Sequence, residues 1–135
     1  MNPTSTAHRP IRSHHSDAAP KAIGPYSQAV SCDGILSTSG QIGLDPARGE
    51  MVPGGFEAQA RRVFENLRAV LAAAGCGFGD VLKATVYLQS MDDFPVLNGI
   101  YSEAFGDHKP ARSTTQAAFL PKGALVEIDL VARIP

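Results

Sequence analysis

The chain has no tryptophan, only two cysteines and almost no excess charge: 12 lysines and arginines stand against 13 acids, a formal net charge of −1 over 135 residues. Each shortage excludes something. Without a basic excess there is no stripe to track a phosphate backbone, which argues against nucleic acid and for small metabolites as ligands. Cys32 and Cys76 show neither CxxC spacing nor the density of a disulfide framework. Both read as buried or incidental thiols, and a reducing, cytoplasmic setting is the expectation. No apolar run approaches the ~20 residues a membrane helix needs, and the start lacks the apolar stretch of a secretory signal. Metal-ligand spacing is absent from the folded part, where His108 stands alone beside Lys109, so no metal is expected.

What is present suits one globular domain: 44% of residues are hydrophobic and 19% charged. Residues 1–16 hold prolines, hydroxyls, histidines and arginines but no acid, and they read as a disordered tail before a single domain over 17–135. Two sharper readings of that tail are a metal site at His8, His14 and His15 and an organelle transit peptide. Short biased tails are common, and no helical periodicity supports either.

Hairpin chemistry opens the domain. Asp33-Gly34 between QAVSC and ILSTS predicts an antiparallel strand pair. In FEAQARRVFENLRAVLAAAG, the residues Phe56, Ala60, Val63, Phe64, Leu67, Val70, Leu71 and Ala74 recur at helical spacing, and Gly75 marks the stop. VLKATVYLQ predicts a strand with Leu82, Ala84, Val86 and Leu88 on its apolar side. A second helix follows, with Asp92 as N-cap, Pro95 in its first turn and Gly106 at its end. Strands at 111–119 and 125–134 complete a ββαβαββ order, an α+β sheet with both helices on one face.

In the last strand Val126, Ile128, Leu130, Ala132 and Ile134 alternate with Glu127, Asp129 and Arg133, so the acids point away from the core. If Pro121-Lys122-Gly123 turns the chain back so that the last two strands pair, Arg112 and Glu127 share the uncovered face. An arginine fork suits a carboxylate, and a nearby glutamate can orient or accept a proton. The same two residues also fit an ion pair that only fixes packing. An uncovered face with apolar groups predicts oligomerisation through it, with sites between subunits.

Five ordered segments carry a resemblance: SDAAPKAIGPYSQAV, TSGQIG, EAQARRVFENLRAVLAAAG, DDFPVLNGIYSEAF, and PARS followed by LPKGALVEID. From about Ser16 onward the chain resembles the RidA family, also called the YjgF family. The resemblance implies a chorismate-mutase-like fold, a homotrimer with clefts between adjacent subunits, and no cofactor. It implies hydrolysis of reactive 2-enamine or 2-imino acids, such as 2-aminoacrylate and 2-aminocrotonate, to 2-keto acids and ammonia. By position in the motifs, Arg112 would bind the substrate carboxylate and Glu127 would lie near the attacking water. Tyr26, Ser39, Gly40, Asn98 and Thr114 would line the cleft. Family members with this activity often carry cysteine at the place of Thr114 and an aliphatic residue at Thr115, a change expected to tune the pocket. Three other readings stay open: a deaminase of a larger acid such as an aminomuconate, an endoribonuclease or translation inhibitor, and a non-catalytic small-acid-binding trimer.

Overall fold

Turn chemistry decides where the chain first pairs with itself. The computed structural model describes residues 9–135. Asp33 and Gly34 both take positive φ, 54° and 78°, the backbone that a two-residue hairpin of matching twist requires. They join β2 (Ala29–Cys32) to β3 (Ile35–Thr38). Outside β2 lies a short edge strand, β1 (Arg12–His14), with Ser13 opposite Val30. His14 Nε2 and Ser31 Oγ share a hydrogen bond of 2.8 Å. This departs from the expectation of a structureless tail over 1–16, because backbone pairing with β2 can hold a polar three-residue segment that shows no alternation of its own. Residues 1–8, with His8, lie outside the described residues.

Periodicity decides the helices. In α1 (Gly55–Ala73) the residues Ala60, Val63, Phe64, Leu67, Val70 and Leu71 are buried, and Gly75 follows at φ 77°. The second helix, α2 (Phe94–Phe105), carries Pro95 in its first turn, where no intrahelical donor is lost. Its entry differs from expectation: Asp92 is not the cap, but donates its N–H to Ser90 Oγ at 3.2 Å, in a 3₁₀ turn that leads into α2. Leu36, Val86, Leu88, Ile128 and Leu130 meet the helices from the sheet, all 1% exposed or less. Burying each such side chain contributes about 1.5–3 kcal/mol.

The sheet runs β1-β2-β3-β6-β4-β5, with β4 (Val81–Leu88), β5 (Ala111–Gln116) and β6 (Val126–Arg133). Two helices on a mixed six-stranded sheet make the expected α+β architecture. The pairing at its far end does not match expectation. Strand β5 pairs with β4 in parallel rather than with β6, because α2 crosses over and returns the chain in the same direction. Strand β6 slots between β3 and β4, antiparallel to both. Arg112 is therefore in register with Ala84 and Thr114 with Val86, residues beneath the helices, whereas Glu127 is in register with Tyr87 on the open face. Arg112 and Glu127 do not share a face. A bulge between Val81 and Lys83 also turns Leu82 outward, 48% exposed, off the apolar side where simple alternation puts it.

Candidate functional site

The Glu127 half of the site begins where β3 ends. Gln41 exchanges two backbone hydrogen bonds with Ile128, at 2.9 and 3.1 Å, and so clamps the Ser39–Gly40 corner against β6 beside Glu127. A Cβ on Gly40 would sit 2.8 Å from the carboxyl carbon of Glu127 and 2.9 Å from its Cγ, so only glycine leaves this carboxylate its place. Ser39 donates its hydroxyl to Ser27 O at 2.6 Å and its N–H to Gln28 O at 2.9 Å, tying down the segment that presents Tyr26. Buried Gln28 in turn donates to Ser16 O and Pro20 O and accepts from the Ser16 N–H. These contacts shape a cavity of about 420 Å³ lined by Tyr26, Ser39, Gly40 and Glu127, with Lys21 and Lys122 also in its wall. Burial pushes the Glu127 carboxyl above the ordinary range, and the neighbouring charge of Asp129 pushes it the same way. The shift makes the ionised carboxylate a stronger base than an ordinary one.

The Arg112 half lies on the other face of the sheet. One guanidinium N–H donates to Asn98 Oδ1 at 2.8 Å. The guanidinium carbon also stands over the rings of Phe94 and Tyr101, 5.2 and 4.7 Å from their centroids. Among the described residues no carboxylate forms a salt bridge with Arg112. It opens on a cleft of about 520 Å³ shared with Asn98, Tyr101, His108 and Lys109. Thr114, two residues along the same strand face, has a buried hydroxyl with no hydrogen-bond partner among the described residues.

Each chain thus holds two groups of the residues singled out from sequence. Tyr26, Ser39, Gly40 and Glu127 come together around one cavity, while Arg112 and Asn98 meet on the opposite face, with Thr114 on their strand. The expected Arg112–Glu127 neighbourhood on one open face does not form within the chain. Sequence reasoning also passed over supporting residues. Asn66 on α1 is fully buried, donating to Ile42 O and Leu44 O at 3.2 and 3.0 Å, and so anchors the loop beyond Gly40. Gln59 accepts the Leu125 N–H at 2.9 Å just before β6. Polar residues within the apolar stripe of α1 were the available signal, since a buried amide needs partners.

Two helices over a mixed sheet, with a glycine-cornered acid on one face and on the other an arginine without a salt bridge among the described residues, define a small α+β protein with two separate groups of candidate residues. Among the described residues no helix is long and apolar enough to cross a membrane. The family model described as Endoribonuclease L-PSP matches residues 16–134, and the chain belongs to that family, the RidA (YjgF) family. It is 50% identical over 114 residues to the mouse (Mus musculus) 2-iminobutanoate/2-iminopropanoate deaminase, covering 84% of each chain. Among solved structures, RidA from the Antarctic bacterium Psychrobacter sp. PAMC 21119 superposes with a TM-score of 0.88 at 43% identity, covering 91% of this chain and 99% of that one. E. coli TdcF with bound serine is similar at a TM-score of 0.86 and 39% identity, covering 90% and 98%.

Proposed function

We propose that this chain hydrolyses small 2-imino acids to 2-keto acids and ammonia, at a site formed where the Glu127 face of one copy meets the Arg112 face of a neighbour in a homotrimer. The observation that carries the reading is the divided site itself. An arginine with no carboxylate partner among the described residues and a half-buried glutamate with a raised pKa lie on opposite faces of one sheet, so a second copy is needed to bring the two together. The names carried by the mouse relative and by the serine-bound E. coli structure agree with a small amino- or imino-acid ligand.

In this reading Arg112 takes the substrate carboxylate through two parallel charge-assisted bonds and fixes the adjacent C=N carbon. Positioning of this kind contributes up to about 7–11 kcal/mol where it is complete. Glu127 orients a water on that carbon and accepts its proton as the C–O bond forms and the C=N π electrons move to nitrogen. Starting from the protonated imine this gives a neutral carbinolamine; Glu127 passes its proton on to the nitrogen, and ammonia leaves as the hydroxyl proton returns to Glu127 and the ketone forms, that proton then passing to the departing ammonia. One water is consumed, and one keto acid and one ammonia leave. Tyr26 and Thr114 line the substrate in this arrangement, and Asn98 steadies Arg112.

The test is the rate of 2-oxobutanoate formation from 2-iminobutanoate generated in place by a threonine dehydratase. Wild type accelerates it, and Arg112→Ala stays near the uncatalysed rate. Equal rates for the two proteins end the proposal.

A further inference from the structure

We propose that Phe94 and Tyr101 are positioning residues for Arg112, holding the guanidinium against ring faces so that its remaining N–H groups stay open to a carboxylate. The inference rests on the reading of Arg112 as the substrate anchor and deepens it.

An arginine on a strand near the sheet edge has many rotamers, and something must hold it if it is to present a fork. An acid would do so by cancelling the charge that the ligand needs. This chain uses aromatic rings instead. Phe94, Asn98 and Tyr101 lie at positions i, i+4 and i+7 of α2, the spacing that puts side chains on one helix face. All three converge on Arg112: Asn98 Oδ1 accepts one N–H at 2.8 Å, and the two rings lie 5.2 and 4.7 Å from the guanidinium carbon. A ring quadrupole attracts the cation without neutralising it. Of the five donors of the fork, the contacts named here occupy one.

The clamp is itself anchored. The Tyr101 ring packs against Phe105 at 4.5 Å and Phe64 at 6.0 Å between centroids, so it belongs to the aromatic cluster between α1 and α2. Its hydroxyl is buried without a hydrogen-bond partner among the described residues. The ring rather than the oxygen therefore does the positioning, and this separates the proposal from a catalytic role for the phenol.

The experiment compares Tyr101→Phe, Tyr101→Leu and Phe94→Leu in the full chain by two measurements: the affinity for 2-oxobutanoate by calorimetry, and the ¹⁵N relaxation of the Arg112 Nε–H without ligand. Tyr101→Phe should match wild type in both. Each leucine variant should lose about tenfold in affinity and show a freely moving Nε–H, while its circular dichroism stays native. Deamination, if measured alongside, should show the loss mainly in KM. An immobile Arg112 Nε–H in Tyr101→Leu overturns the proposal, as does Tyr101→Phe behaving like Tyr101→Leu. Failure of the deaminase reading would be seen separately, as a wild type that binds 2-oxobutanoate but does not accelerate imine decay. If Arg112→Ala binds 2-oxobutanoate as tightly as wild type, the anchor and the clamp fall together.

Discussion

Arg112 and Glu127 sit on the two strands that flank β4, yet one is in register with Ala84 and the other with Tyr87, so their side chains leave opposite faces of the sheet. Side chains alternate strictly along a strand, and no rotamer carries either group through the sheet to the other. A site that uses both must recruit one from another molecule.

That geometry predicts complementation. Arg112→Ala and Glu127→Ala, each inactive alone, should regain activity when unfolded together and refolded as mixed trimers. Random assortment restores about a quarter of the sites, those pairing an intact arginine face with an intact glutamate face. Mixed trimers no more active than either variant alone would place both groups in one subunit's chemistry or in none.

The acid limb of the pH–rate profile should report Glu127. As the base it works ionised, so activity falls as pH drops through its pKa, which burial and Asp129 set above the ordinary carboxyl value of about 4.3. Removing the like charge in Asp129→Asn lowers that pKa, because the ionised form of Glu127 then meets less repulsion. The inflection should move to lower pH, and a shift upward or none would separate Asp129 from Glu127.

Gly40→Ala tests the close approach at the corner after β3. The added methyl would meet Glu127 at 2.8–2.9 Å, so the carboxylate has to move. Side-chain displacement costs about 1–3 kcal/mol of stability, whereas activity should fall by roughly 10²-fold, the scale of a lost general base. Thermal melting and turnover measured on one preparation check this, and a variant that melts like wild type and turns over normally would free Glu127 of the constraint.

Asn66→Leu should act on the cavity from behind. It leaves the carbonyls of Ile42 and Leu44 without the donor they have now, a cost of about 1–3 kcal/mol for each buried acceptor left unpaired. Denaturant unfolding should show the loss, and amide exchange should rise between Gln41 and Leu44 before it rises in β6. Uniform exchange across both segments would show that Asn66 stabilises the domain without anchoring this loop in particular.

Much of the architecture was legible because it rests on local rules. Asp33-Gly34 reads as a hairpin because both residues tolerate positive φ, and α1 reads as a helix because its apolar residues recur every three or four positions. The strand Arg12–His14 was not legible, since its hydrogen bonds go to another strand and its side chains bury little. Nor was the face of Arg112. Alternation within β5 says which residues stand with Arg112, but not which face of that strand meets the helices, and the parallel pairing with β4 decides that.

By itself, the sequence determined both helices, five of the six strands, their order and the chemical groups available, because propensity, periodicity and turn geometry act over a few neighbouring residues. Strand alternation singled out Arg112 and Glu127, and the family resemblance added Ser39 and Gly40. Only the tertiary structure decided that the arginine and the glutamate face away from each other, and that a helix face of Phe94, Asn98 and Tyr101 holds the arginine. Strand order and register depend on contacts between residues far apart in the chain, and no local pattern encodes which side of a strand another segment will cover.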